Sequence, residues 1–152
     1  MKRIVLSFVA LFAIFNVFAG TPAADLVEKY KDVKGARNLV AKGTLMNMAR
    51  PMLKKYNVAP IAHKVEEMSV LRMDRTSPEV RQGFLEALNK VLGQYVYAGK
   101  SDTPNGVVDA YVHLVSPEIA DELVVFNPEL CAFYSLSGMF TRDELLSIQK
   151  KS

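Results

Sequence analysis

The sequence has a single cysteine and none of the short motifs that mark common catalytic sites. Because Cys131 has no second cysteine to pair with, one chain can form no internal disulfide bond. The chain contains no G-x-S-x-G, H-E-x-x-H, P-loop or G-x-G-x-x-G pattern. These absences exclude a disulfide-rich scaffold, and they offer no support for a serine hydrolase, a zinc protease or a nucleotide-dependent enzyme.

An excess of charge of one sign is also missing. The chain has 19 Lys and Arg residues against 16 Asp and Glu residues, and no Lys/Arg run is longer than two. Lys2 and Arg3 belong to an N-terminal segment that we expect to be removed, which leaves 17 basic residues against 16 acidic ones. A nearly neutral, exported chain is a poor partner for nucleic acid, so we exclude that function class.

The N-terminal segment has the order of a secretory signal peptide. Two basic residues precede an uncharged apolar run from Ile4 to Phe18, and small residues follow at Ala19 and Gly20. The run is shorter than the roughly 20 residues that span a bilayer as a helix. We therefore expect cleavage between Ala19 and Gly20, and a periplasmic or secreted product. Since no cysteine follows the run, no lipid or stable membrane anchor is expected.

Helix signals occur in the first half of the remaining chain. Thr21-Pro22 and Ser77-Pro78 each combine a capping residue with a proline suited to the first helical position. A further helical stretch opens at Thr44, and Pro51 is expected to break it into two short pieces. Near the C-terminus, Thr141 and Glu144 have the spacing of a capping box, which predicts a helix from about residue 142 to 149.

Period-two patterns predict strands between these helices. Residues 36–41 and 65–74 are expected to form strands, and the later part of the chain reads as four strands joined by short turns, with a loop over residues 100–106. We predict an α+β fold in which an antiparallel sheet of about five or six strands has helices packed on one face. Residues 20–152 are expected to form a single domain.

A row of polar and aromatic side chains marks the predicted candidate site. Asp109, Tyr111 and His113 alternate with Val108, Ala110, Val112 and Leu114, so the two sets project from opposite faces of one strand. If the apolar set faces the helices, the polar set lies on an open face, with Tyr95 and Tyr97 joining it from the adjacent strand. Such a face could bind a ligand or a partner, or it could be an ordinary half-solvated sheet.

Metal and thiol chemistry remain as alternatives. His63, His113 and Cys131 could assemble a zinc or copper site, although nothing in their spacing favours one. Five methionines could bind Cu(I) or simply fill the core: Met46, Met48, Met52, Met68 and Met73. Cys131 fits a buried apolar position in a strand, or an exposed thiol that pairs between chains. No metal ligand and no cofactor is assigned.

Several segments of the chain resemble a family of small exported proteins of Bacteroidetes called domain of unknown function 4252. The resemblance lies in Glu28-Lys29-Tyr30 leading to Gly35-Ala36, in residues 46–51, in Lys64-Val65-Glu66-Glu67-Met68, and in the closing segment from Phe133 to Thr141. It implies an α+β domain with no assigned enzyme activity and no catalytic residues to carry over. Genes of that family tend to lie beside extracytoplasmic-function sigma factors, which implies a setting in envelope-stress regulation.

The sequence therefore predicts a non-enzymatic, exported domain that binds an envelope protein or a small ligand through Tyr95, Tyr97, Asp109, Tyr111 and His113. The alternative is a periplasmic carrier of copper or zinc, or a small enzyme, built on His113 and Asp109. A structural envelope protein without a ligand is the third possibility.

Overall fold

A six-stranded antiparallel sheet organises the chain. The computed structural model describes residues 21–54 and 58–151, with the side chains of 149–151 left undescribed, so the predicted signal peptide and its cleavage site at Ala19 and Gly20 lie outside the described residues. The strands follow the order β1-β2-β6-β5-β4-β3 across the sheet. Their bounds are β1 Arg37–Lys42, β2 Val65–Arg72, β3 Val96–Thr103, β4 Gly106–Ser116, β5 Ile119–Asn127 and β6 Ala132–Thr141.

The helices begin where the capping residues predict. The Thr21 side chain accepts a hydrogen bond from the Ala24 N–H, and the Ser77 side chain accepts one from the Val80 N–H, with proline following each cap. The helical bounds are α1 Pro22–Tyr30, α2 Thr44–Leu53, a 3₁₀ helix Ala59–Lys64, α3 Pro78–Leu92 and α4 Arg142–Lys151.

The last four strands form the predicted antiparallel meander, but the first connection is tighter than expected. The predicted loop over residues 100–106 is largely strand, since Ser101 lies opposite Val108 and Thr103 opposite Gly106. Only Pro104 and Asn105 turn the chain, and Gly106 adopts a φ of 118°, which favours glycine. These residues are polar because they lie on an edge strand that is exposed to solvent, and a polar composition also favours a loop.

Pro51 does not divide α2, contrary to the prediction. It lies close to the C-terminal end of a continuous helix from Thr44 to Leu53. At that position proline removes one backbone bond, the one that an N–H at residue 51 would donate to the Asn47 carbonyl. Burial of Met46 and Leu53 on the inner side of α2 offsets that loss.

The α+β class and the antiparallel sheet are confirmed, whereas the helices pack on both faces of the sheet and not on one. Helices α1 and α3 cover one face, around Phe84, Phe133 and Phe126. Helix α2, the 3₁₀ helix and α4 cover part of the other, around Met46, Leu136 and Phe140. The reason is that β5 and β6 carry apolar side chains on both sides, which favours burial of both sheet faces.

The C-terminal helix is attached by the predicted capping box. The Thr141 N–H donates to Glu144 Oε1 at 2.8 Å, and the Glu144 N–H donates to Thr141 Oγ1 at 3.3 Å. Lys64 Nζ lies 2.8 Å from the same Glu144 Oε1 and joins α4 to the end of the 3₁₀ helix. This anchorage holds α4 beside the second face of the sheet, where the candidate site lies.

Candidate functional site

An apolar groove of about 620 Å³ lies on the sheet face that α2 and α4 only partly cover. Helix α2 packs on β1 and β2, and α4 packs on β6 and the 3₁₀ helix. The other half of this face, formed by β3, β4 and β5, becomes the floor of the groove. Floor side chains are small or branched and apolar: Ala98, Val108, Ala110, Val112, Leu123 and Val125.

Two helices supply the wall of this apolar groove. Met52 and Leu53 come from α2, and Leu145 and Ile148 come from α4. The mouth is also apolar, because Leu39 and Met52 line the groove while their side chains are about three-fifths exposed, at 61% and 60%. A surface-accessible apolar groove of this size lies within the usual range for small-molecule sites, about 300–1,000 Å³.

Most polar residues of the lining stand at the two ends of the groove, and the exceptions lie along β3 and β6: Tyr97, Lys100, Ser101 and Tyr134. Thr103, Asn105 and Asn127 lie at the end next to the β3–β4 turn, and Glu118 and Arg142 lie at the other. Asn127 is already engaged, since its side-chain amide donates to the Asn105 carbonyl and its side-chain oxygen accepts the Leu130 N–H. The middle of the groove therefore offers shape and apolar contact, with few polar groups to recognise a polar ligand.

The residues singled out by the sequence lie on the opposite face, although Tyr97 on the edge strand β3 also borders the groove. Helices α1 and α3 close that face over two of them. Tyr95 is buried in the hydrophobic cluster around Phe84, and Tyr111 packs against the same cluster. The expectation that this face is open is corrected here, because the tyrosine rings are themselves part of the contact with α1 and α3. The groove lies on the other face, that of Val108, Ala110 and Val112, for which the sequence analysis considered packing against the helices.

Tyr97 and Asp109 remain at the surface and form a small polar group. The Tyr97 hydroxyl donates to Asp109 Oδ1 at 3.0 Å, and Lys100 Nζ lies 2.9 Å from the same oxygen. The rings of Tyr97 and Tyr111 meet edge to face at 5.2 Å between centroids. These contacts give the Asp109 carboxylate hydrogen-bond partners within the protein. We therefore interpret this group as ordinary side-chain pairing between adjacent strands at the surface.

His113 pairs with a different carboxylate from the one predicted. Its Nδ1 lies 2.7 Å from Asp121 Oδ1, and its ring lies 5.2 Å from that of Tyr95. His113 and Asp109, on which the alternative metal or enzyme site was built, are not in contact, because they lie four residues apart on one extended strand, a span of roughly 13 Å. Among the described residues, no group of three or more His, Cys, Asp or Glu side chains is placed to hold a metal ion.

Cys131 lies in the turn before β6 and not within a strand as predicted. It is buried, and its backbone adopts a positive φ of 46° while its carbonyl accepts the Met73 N–H at 2.9 Å. Burial raises the pKa of the thiol. Cys131 is therefore a small buried residue, as one of the two interpretations predicted, and its thiol is not exposed.

A buried carboxylate that the sequence analysis did not single out lies opposite His113 on the neighbouring strand β5. Glu122 is 1% exposed and accepts hydrogen bonds from the hydroxyls of Thr21, Tyr95 and Ser135, with Thr21 Oγ1 at 2.9 Å. Burial, and then the charge of Glu122, raise the pKa of Tyr95. The three donors come from α1, the start of β3 and β6, so no local pattern in the sequence could have revealed them.

Comparison of the chain with protein-family models, with curated proteins and with solved structures finds no match. The predicted family membership thus stays a prediction. Within the part of the chain that the structure describes, no helix is long and apolar enough to cross a membrane.

Proposed function

We propose that this chain is an exported, non-enzymatic binding protein of the cell envelope, and that its ligand is a long, largely apolar molecule such as an acyl chain. The observation that carries the proposal is the apolar groove of about 620 Å³. The signal-peptide pattern supports a periplasmic or secreted location. The link to envelope-stress regulation follows from the family resemblance and is a proposal of the same kind.

The chemistry of the lining selects the ligand class. Each methylene group moved from water into such a groove contributes about 0.8 kcal/mol of binding free energy. A polar group buried there without a partner costs about 1–3 kcal/mol. An acyl chain with its polar group at one end of the groove meets both conditions, since the floor between the ends is mainly apolar.

Ligand binding is tested by fluorescence titration with dansyl-undecanoic acid, using the exported product of the full-length gene. Ala110→Phe places a ring on the groove floor, and we expect it to raise the Kd of the probe at least about tenfold, which is 1.4 kcal/mol. Val107→Phe is the matched control, because Val107 is an exposed position on the same strand that does not line the groove. Its Kd should match that of the unchanged protein.

A second variant tests the groove in case Ala110→Phe prevents folding. Leu39→Glu introduces a charge at the mouth of the groove on a side chain that is already exposed, so it should weaken the probe while leaving the melting temperature close to that of the unchanged protein. Absence of saturable binding by the unchanged protein, or equal Kd values for Ala110→Phe and Val107→Phe, would overturn the proposal.

A further inference from the structure

The solvent-facing side of α2 is apolar. Leu45, Met48 and Met52 are 58%, 71% and 60% exposed, and their spacing of three and four residues places them on one face. The helix has one charged residue, Arg50, and it is used on the inner side. Arg50 Nε donates to the Ala62 carbonyl at 3.0 Å, and Nη2 donates to the Val65 carbonyl at 2.8 Å.

Internal packing does not account for these three side chains. The opposite side of α2 already buries Met46 and Leu53 against the 3₁₀ helix and the sheet. A surface helix normally places charged and polar residues on its outer side, and a helix that is apolar all round is normally covered. The outer face of α2, defined by Leu45, Met48 and Met52, is therefore a surface that lacks its partner in the isolated chain.

The stretch of sequence that contains α2 is basic. Between Asp32 and Glu66 the sequence contains seven Lys and Arg residues and no Asp or Glu. Arg37 is held by Asp74, and Lys64 by Glu144, but Lys34, Lys42 and Lys54 are exposed. The next acidic residues in the sequence, Glu66 and Glu67, are exposed on β2, and Glu67 lies opposite Lys42 in the register, so basic groups outnumber acidic ones on this side of the sheet.

The same apolar surface continues into the groove. Met52 belongs to the outer face of α2 and also lines the groove, and Leu39 lines it from the neighbouring strand. An acyl chain leaving a bilayer beneath α2 would reach the groove without crossing polar surface. This step rests on the proposed function of the groove.

We propose that the outer face of α2 docks on an anionic phospholipid bilayer and presents the groove to the lipid. Apolar side chains of a surface helix enter the interface, while nearby lysines are attracted to anionic head groups. A second copy of the chain is a poorer partner, because self-association through this face would bring two basic regions together, and their like charges repel.

Docking is tested by flotation with vesicles of phosphatidylcholine alone and of phosphatidylcholine with phosphatidylglycerol. The exported product of the full-length gene should bind the mixed vesicles more strongly, and added salt should weaken the binding. Met48→Glu should lower the partition constant at least about tenfold, and Lys54→Gln about fivefold. Met139→Glu is the matched control, since Met139 is a similarly exposed methionine, at 56%, that lies on β6.

The fatty-acid probe separates this inference from the proposed function. Met48→Glu should keep the Kd of the probe, whereas Ala110→Phe should lose the probe and keep vesicle binding. No vesicle binding by the unchanged protein, no preference for anionic lipid, or equal effects of Met48→Glu and Met139→Glu would overturn the docking inference. So would a concentration-dependent dimer by light scattering that Met48→Glu abolishes, because the face would then bind a second copy.

Discussion

At the scale of single residues, the buried Glu122 shows what the tertiary structure adds. A carboxylate removed from water requires hydrogen bonds for its lone pairs, and three hydroxyl groups supply them here. Tyr95 connects this group to the start of α1, since its hydroxyl also accepts the Ala23 N–H at 3.1 Å. We regard Glu122 and Tyr95 as structural residues that fasten α1 to the sheet.

Tyr95→Phe should lower the free energy of unfolding at neutral pH by about 1–3 kcal/mol, because Glu122 loses a donor and the Ala23 N–H loses its acceptor. Urea denaturation followed by circular dichroism measures this. Tyr97→Phe is the control, since Tyr97 bonds to Asp109 at the surface, and its effect should be clearly smaller. Equal effects of the two variants would contradict a structural role for the buried hydroxyl.

The same variant predicts a pH dependence. The pKa of Tyr95 is raised in the folded state, so above a pH of about 10 the unfolded chain gives up this proton more readily than the folded one. The unchanged protein should therefore lose stability between pH 9 and 11 faster than Tyr95→Phe. Parallel melting-temperature profiles of the two proteins over that interval would contradict the assignment.

At the scale of elements, local signals were sufficient where the partners are close in sequence. The caps at Thr21, Ser77 and Thr141 placed three helix starts, and residue alternation placed the strands of the meander. They failed at Pro51 and at residues 100–103, where composition favoured a break or a loop. There, packing of α2 and pairing of β3 with β4 outweighed the local preference.

Thr141→Ala should destabilise α4 by about 1 kcal/mol, since the capping hydroxyl that accepts the Glu144 N–H is lost. Because Leu145 and Ile148 form part of the groove wall, the affinity for the fatty-acid probe should fall as well. Thermal unfolding and probe titration measure the two effects. Ser147→Ala, in the middle of the same helix, should leave both nearly unchanged, and Thr141→Ser should restore them.

At the scale of the whole molecule, one sheet joins two hydrophobic clusters. Strands β5 and β6 place Val124 and Phe133 in the cluster under α1 and α3, and Leu123 and Leu136 in the cluster under α2 and α4. Neither cluster can lose its strands without exposing the other. We expect the described part of the chain to unfold as one cooperative unit, as is usual for chains of this length.

Phe84→Ala and Phe140→Ala test that cooperativity from opposite faces. Each removes a fully buried ring and should cost about 3–5 kcal/mol. Both variants should shift the same single transition, whether it is followed by circular dichroism or by calorimetry. Two separate transitions, with each variant moving only one of them, would show that the clusters unfold independently.

The sequence by itself determined the α+β class, the helix starts and the strand alternation, because caps and periodicity act between residues that are near neighbours in the chain. It also predicts export, and that prediction rests on residues 1–20 alone. Only the tertiary structure decided which face of β4 receives helices and which becomes a groove. That choice depends on where α1, α2, α3 and α4 pack, and on the long-range bonds of Glu122. Alternation along one strand shows that its two faces differ in polarity, but it does not show which elements cover each face. For that reason the sequence placed the candidate site around Tyr95 and His113, whereas the groove lies on the apolar face around Ala110.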